Sequence, residues 1–139
     1  MYVFVYGSLR RGFPNHFFLE KSIYMGEYHT VDKYHMVGQI SRAYPYIVKP
    51  EHDLGSDPVH IIGELYDIDE DVLADLDNLE GYEQECDDFY TRRLIRITDG
   101  NNEKNAYVYI LENKCIIEEI KNNMGYRFEL VPSGDWTVA

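Results

Sequence analysis

The run Tyr2-Val-Phe-Val-Tyr-Gly-Ser-Leu-Arg-Arg-Gly12 constrains this chain more than any other stretch. Five β-branched or aromatic residues, Tyr2 to Tyr6, lead directly into Gly7-Ser8-Leu9, the pattern of a buried strand that ends in a tight turn. Glycine lets the backbone of such a turn face whatever lies at the strand's carboxyl end, where small-molecule sites form. The spacing from Gly7 to Gly12 approaches that of a P-loop, but Phe13-Pro14 follow where a P-loop needs Lys and then Ser or Thr. A nucleoside triphosphate site is therefore disfavoured. A glycine-containing turn after a strand still aims several N–H groups at one anion, and a carboxylate suits that nest as well as a phosphate does. Taken by itself, the stretch is equally well read as a plain first strand with a glycine turn.

A chain of 139 residues is one domain, 1–139, long enough to bury a real core and too short for two ordinary domains. Its formal charge of -12 repels a nucleic-acid duplex or an anionic membrane surface, and no Lys/Arg run offsets that field. Neither partner is expected. Cys86 and Cys115 are too few and too far apart for a disulfide framework, and neither an apolar leader nor a membrane-length run is visible. A soluble, reducing, cytoplasmic setting is the expectation. Thirteen tyrosines suit a small β-rich domain whose strands carry amphipathic rings at half-buried positions.

After the first loop, Pro14 favours a short helical turn through Phe17, Phe18 and Leu19. Residues 22–31 and 33–40 read as a pair of strands, and Tyr44-Pro45-Tyr46-Ile47-Val48 as a short strand whose proline keeps it off a central ladder position. Residues 49–58, with Pro50, Gly55 and Pro58, are the clearest loop. Val59 to Asp67 predicts a strong strand. Asp69 then caps a helix whose Val72, Leu73, Leu76 and Leu79 form one apolar stripe, with Gly81 just beyond its end. Residues 89–97 and 105–111 predict an antiparallel hairpin around Asp99-Gly100, and residues 112–123 a second helix followed by Gly125 and a tail through Trp136. The fold expected is α+β: a mixed, largely antiparallel sheet curled toward a small barrel with two or three helices.

Eleven carboxylates and no Lys or Arg lie between Asp67 and Asp88. Most of them read as a solvated acidic face. Glu80 differs, because it follows Leu76 by four residues and Leu79 by one and so falls near the apolar stripe, at a helix end from which a side chain reaches a cavity. A partly buried carboxylate among like charges has its pKa raised, which is what general-base catalysis near neutral pH requires.

Tyr6-Gly7-Ser8-Leu9, followed by Arg11-Gly12 and Asn15-His16, resembles the amino-terminal signature of the gamma-glutamylcyclotransferase-like superfamily, most of all its gamma-glutamylamine cyclotransferase branch and bacterial relatives. Leu76-Asp77-Asn78-Leu79-Glu80 is similar to the run that carries the family's catalytic glutamate, and Tyr90-Thr91-Arg92 stands where the family opens a strand with Tyr-x-Arg. Tyr44-Pro45, Ala106-Tyr-Val-Tyr109 and Ser133-Gly-Asp-Trp136 are further echoes in the same order along the chain. Residues 112–128 have no counterpart in the family pattern. The resemblance implies the fold named above and conversion of a gamma-glutamyl amine or gamma-glutamyl amino acid to 5-oxoproline and a free amine by intramolecular aminolysis. It implies Glu80 as general acid/base, and Tyr6, Gly7, Ser8 and Leu9 at the substrate, with the loop amides holding either the substrate carboxylate or the developing oxyanion. Tyr90 and Tyr107 are expected as hydrogen-bond donors on the pocket wall. Neither metal nor cofactor is called for, since positioning alone supplies roughly 7–11 kcal/mol of such a barrier. A catalytically idle module that binds a small gamma-glutamyl-like anion is the alternative.

Other sites fail on spacing. Asp67-x-Asp69-x-Asp71 suggests a calcium loop, but Val72 and Asn78 stand where Gly and Glu are needed. His16, His29, His35, His52 and His60 form no zinc pattern, and Ser8 lacks the G-x-S-x-G of a nucleophile elbow.

Overall fold

The computed structural model describes residues 1–41, 44–82 and 89–136. Residues 83–88, Cys86 and four of the acidic residues among them, lie outside, as do the last three residues. Strand β1 (Tyr2–Val5) opens a closed barrel with the order β1-β5-β2-β6-β7, in which β2 is Ile23–Thr30, β5 Ile62–Asp67, β6 Tyr90–Thr98 and β7 Glu103–Leu111. All its pairings are antiparallel except the single parallel contact of Val3 with Tyr107 that joins β1 to β7. The β6–β7 hairpin pairs Tyr90 with Leu111 through Thr98 with Glu103, as the Asp99-Gly100 turn predicts.

A second, three-stranded sheet stands apart from the barrel, with β3 (His35–Gln39) between β4 (Pro45–Val48) and β8 (Phe128–Leu130). This corrects the reading of residues 22–31 and 33–40 as partners. The intervening Val31 to Tyr34 redirects the chain: Tyr34 bridges Val59, and β2 pairs instead with β5 and β6. Pro45 does sit on an edge strand, where its missing N–H removes no ladder bond.

Helix α1 (Glu70–Glu80) begins as its sequence dictates: the Asp69 carboxylate accepts the Val72 N–H at 2.9 Å, and Gly81 ends the helix in the left-handed region at φ 68°. Leu73 and Leu76 are buried, but Leu79 is open to solvent, so the apolar stripe is shorter than its spacing implies. Helix α2 (Lys114–Asn122) is capped by Asn113, which accepts from the amides of Cys115 and Ile116, and it buries Ile117 and Ile120. A 3-10 turn at His16–Leu19 accounts for the short helical turn after Pro14. Among the described residues no helix is long and apolar enough to cross a membrane.

Two apolar clusters hold these elements together, and β1 alternates between them. Val3 and Val5 join Leu73, Leu76, Ile117 and Ile120 of the helices, while Phe4 and Tyr6 join Leu65, Ile97 and Val108 of the other barrel strands. Burial on both faces explains why β1 is an unbroken run of large residues. It also fixes where the loop after Val5 emerges.

Candidate active site

The loop after β1 is held from four sides. A turn closes Arg10 N–H onto the Gly7 carbonyl at 3.0 Å, and Asn15 donates both its backbone N–H to the Ser8 carbonyl and its side-chain amide to Ser8 Oγ, each at 2.9 Å. His16 Nδ1 lies 3.0 Å from the Leu9 carbonyl. The Arg10 guanidinium pairs with Asp135 at 2.7 Å and donates to the Trp136 carbonyl at 2.9 Å, so the chain's tail, anchored by buried Trp136, clasps the loop. From strand β5, buried Glu64 accepts the Arg11 N–H at 2.8 Å and the Tyr66 hydroxyl at 2.9 Å on the same oxygen, Oε1. Among the described residues the amides of Ser8 and Leu9 enter none of the loop's backbone hydrogen bonds, and both residues line a small cavity.

That cavity has about 40 Å³ and is walled by Tyr6, Gly7, Ser8, Leu9, Glu80 and Tyr109, with Pro45 and Tyr90 closing it. At roughly 10–15 Å³ per water, it accommodates about three water-sized groups, the scale of a carboxylate's oxygens and their neighbour. It continues outward into a space of about 330 Å³ that shares Ser8, Tyr44, Glu80 and Tyr90 and adds Gln39, Tyr46, Leu79 and Phe89. Tyr6, Gly7, Ser8, Leu9, Glu80 and Tyr90 thus come together at one cleft.

Glu80 is the last residue of α1, carried into the cleft because Gly81 stops the helix there. Burial raises its carboxyl from 4.5 to about 7. Its position at a helix C-terminus, the negative end of the peptide dipoles, works in the same direction. Three phenols surround it. Tyr6 donates to the Tyr109 carbonyl at 2.7 Å, and Tyr90 approaches the Pro45 carbonyl at 3.5 Å. Burial, and after it the nearby Glu80 carboxylate, pushes the Tyr6 hydroxyl well up; burial, then Tyr6 and Glu80, does the same for Tyr90. For Tyr109, burial comes first and its bond to Asp77 second. All three therefore stay protonated and can serve only as neutral hydrogen-bonding groups.

Tyr107 lies elsewhere. Its ring stacks beneath the Arg92 guanidinium, 4.8 Å from centroid to carbon, and it lines neither half of the cleft. Two residues on along the same strand face, Tyr109 reaches the cavity instead. Its hydroxyl donates to Asp77 Oδ1 at 2.7 Å, while Asp77 Oδ2 is ion-paired with Arg92. Asp77 and Arg92 thereby lock the end of α1 to β6 and β7, three residues before Glu80. Sequence reasoning missed Asp77, Tyr109 and Glu64 as parts of the site. Glu64 did carry a signal, as a charged residue inside a strand that is otherwise apolar at Leu65 and Tyr66. Helix α2 lines neither half of the cleft; of residues 112–128, Phe128 lies 6.3 Å from the Tyr46 ring, and Arg127 and Glu119 are close enough for their charges to act on the Tyr46 hydroxyl.

The sequence profile of the family described as gamma-glutamyl cyclotransferase, AIG2-like, matches residues 3–138. The chain belongs to this family. A Methanocaldococcus jannaschii protein provisionally named a gamma-glutamylcyclotransferase is 38% identical over 97% of this chain and 94% of its own length. Human gamma-glutamylaminecyclotransferase is 32% identical over 68% of this chain and 60% of its own. Among solved structures, the solution structure of protein ytfP from Escherichia coli superposes with a TM-score of 0.61 at 28% identity, covering 98% of this chain and 96% of that one. The barrel with its added sheet and two helices is thus a gamma-glutamyl cyclotransferase fold, and the cleft at the end of β1 is its candidate active site.

Proposed function

We propose that this chain is a cyclotransferase that converts a γ-glutamyl amide to 5-oxoproline and a free amine, with Glu80 as general acid/base. The observation that carries the reading is one juxtaposition: a half-buried carboxyl raised to about 7 shares a cavity with Ser8 and Leu9, whose amides enter no backbone hydrogen bond among the described residues. A base needs its pKa near working pH, and an anion needs N–H donors that nothing else occupies. Membership of a family of cyclotransferases supports the same activity in general terms.

In this mechanism the substrate's α-carboxylate or its reacting carbonyl oxygen meets the loop amides, and the substrate's α-ammonium faces Glu80. Ionised Glu80 takes one proton from the ammonium. The freed nitrogen attacks the γ-carbonyl carbon, a five-membered lactam closes, and the carbon–nitrogen bond to the leaving amine breaks as Glu80 returns the proton to it; the lactam nitrogen then sheds its second proton, which Glu80 passes to the freed amine so that it departs as an ammonium. No net proton is gained or lost. Because nucleophile and electrophile belong to one molecule, the protein's task is to hold a folded conformer, worth roughly 7–11 kcal/mol of the barrier. Tyr6, Tyr90 and Tyr109, whose hydroxyl protons are directed to the Tyr109 carbonyl, the Pro45 carbonyl and Asp77, supply an uncharged wall for the small cavity.

The test is release of 5-oxoproline from γ-glutamyl-lysine, γ-glutamyl-alanine and glutathione by the wild type and by Glu80→Gln. Turnover of at least one substrate, falling about 10²-fold or more in the variant while binding persists, is the expected result. Turnover indifferent to Glu80 overturns the assignment of the base. An idle binding module predicts ligand binding with no turnover.

A further inference from the structure

The outer half of the cleft is built for more than access. Its volume of about 330 Å³ exceeds the ~150 Å³ of enclosed space that suffices for a benzene molecule. Tyr46, Phe89 and Tyr90 form a continuous aromatic wall, with ring centroids 5.8 Å apart for Tyr46 and Phe89, 6.0 Å for Tyr46 and Tyr90 and 4.9 Å for Phe89 and Tyr90. Around the mouth Leu79 and Phe89 are each 38% exposed and Tyr44 is 49% exposed. Three large apolar side chains held open around one cavity are the mark of a ligand surface.

The two side-chain amides here are already engaged. The Asn15 amide donates to Ser8, and the Gln39 amide donates to the Tyr46 hydroxyl at 2.6 Å. Among the described residues lining the outer half, Glu80 is the only charged one. Among the described residues lining it, no cation awaits the carboxylate of a leaving amino acid and no second carboxylate awaits the far ammonium of a diamine. Arg127 lies in the neighbouring groove with Gln39 and Phe128, where Glu119 meets its charge at 3.0 Å.

We propose that the outer half of the cleft is a leaving-group subsite for an uncharged ring, so that the preferred substrates are γ-glutamyl amides of arylalkyl amines. This rests on the cyclotransferase reading of the inner half. The amide nitrogen lies at Glu80, the glutamyl part points to the Ser8–Leu9 amides, and the leaving amine's ring packs edge-on or offset against Phe89 and Tyr46. The chemistry is unchanged: the α-nitrogen forms the lactam bond, the amide bond breaks, and Glu80 delivers the proton that leaves with the amine. Recognition before the bond breaks raises the effective concentration of the folded conformer, so the gain is read in kcat/KM.

The experiment compares γ-glutamyl-benzylamide, γ-glutamyl-methylamide, γ-glutamyl-lysine linked through its side chain, and γ-glutamyl-alanine on the intact protein. The expected order places the benzylamide at least tenfold above the methylamide in kcat/KM, with both amino-acid conjugates below the benzylamide. The benzylamide-to-methylamide ratio is expected to drop about tenfold in Phe89→Ala. Since the wild-type series alone decides the preference, a variant that folds poorly leaves the test intact. Faster turnover of the lysine or alanine conjugate, or equal rates for benzylamide and methylamide, overturns the ring subsite and leaves the cyclotransferase standing. Failure to cyclise any of the four overturns both.

Discussion

Pro45 closes over Gly7 so tightly that a Cβ built on the glycine would stand 2.8 Å from the proline Cγ and 3.0 Å from its Cδ. Gly7 is not in the left-handed region, unlike Gly12 at φ 86°, so the glycine is required for space rather than for backbone freedom. The contact brings the edge strand of the small sheet against the loop of the barrel and so sets the width of the cavity. Gly7→Ala must push the β4 edge outward, because a proline ring has little freedom to yield. We expect kcat/KM for 5-oxoproline release to fall about 10²-fold, the scale of a roughly 1 Å misplacement, with a stability loss of about 1–3 kcal/mol from overpacking. Thermal unfolding and steady-state kinetics on the same preparation separate the two effects.

Asp77 makes a second prediction. Its two oxygens hold Tyr109 and Arg92, with side chains of Asp77 and Arg92 only about one-fifth exposed. Asp77→Ala strands a mostly buried guanidinium, and the expected loss is about 2–3 kcal/mol. Asp77→Asn keeps an oxygen for the Tyr109 hydroxyl and gives back part of that loss. The check is urea unfolding, where the midpoint should move while the slope stays constant.

These two contacts mark the line between what the chain's sequence discloses and what it hides. Strand β1, its loop, the Asp69 and Gly81 caps of α1 and the β6–β7 hairpin were legible because each rests on residues adjacent in sequence. Glu80 was legible as the odd acid beside an apolar stripe. The partition of β2 and β3 into separate sheets was not, since hydrophobic alternation states that a strand exists but not which neighbour it pairs with. Tyr107 and Tyr109 share a strand face and a residue type, so only the placement of Arg92 and Asp77 decides that the former stacks under a guanidinium and the latter enters the cleft. Partners 15 and 32 residues apart leave no local trace.

Glu64 positions the loop without lining the cleft. The Arg11 amide and the Tyr66 hydroxyl both meet Oε1, which a glutamine's carbonyl oxygen can replace, while Oε2 makes only a long 4.0 Å ion pair with the largely exposed Arg11 guanidinium. Glu64→Gln should therefore be mild. Glu64→Ala leaves the buried Tyr66 hydroxyl and the Arg11 amide without an acceptor, and the loop amides lose their alignment. A rise in KM of about tenfold or more, recovered largely by Gln, is expected. Equal damage from both variants would mean that the charge, not the hydrogen-bond geometry, is what the loop requires.

The raised pKa of Glu80 links activity and stability to pH in opposite directions. In the proposed mechanism ionised Glu80 is the base, so kcat/KM should climb with pH and level off above a midpoint near 7. For stability the sign follows from proton binding. Between the ordinary value of 4.5 and about 7 the folded chain keeps a proton that the unfolded chain releases. Hence the contribution of neutral Glu80 is fully present below pH 4.5, declines as pH rises, and is lost above about 7. Two and a half pK units correspond to about 3 kcal/mol as an upper bound, which partial solvent access reduces. Glu80→Gln, uncharged at every pH, should abolish both dependences: the variant is catalytically poor yet more stable than the wild type at pH 8, with the difference shrinking toward pH 5. Unfolding of both proteins at pH 5 and pH 8 measures it. A stability difference that stays constant between these pH values would show that Glu80 titrates in its ordinary range and is not the tuned base of this cleft.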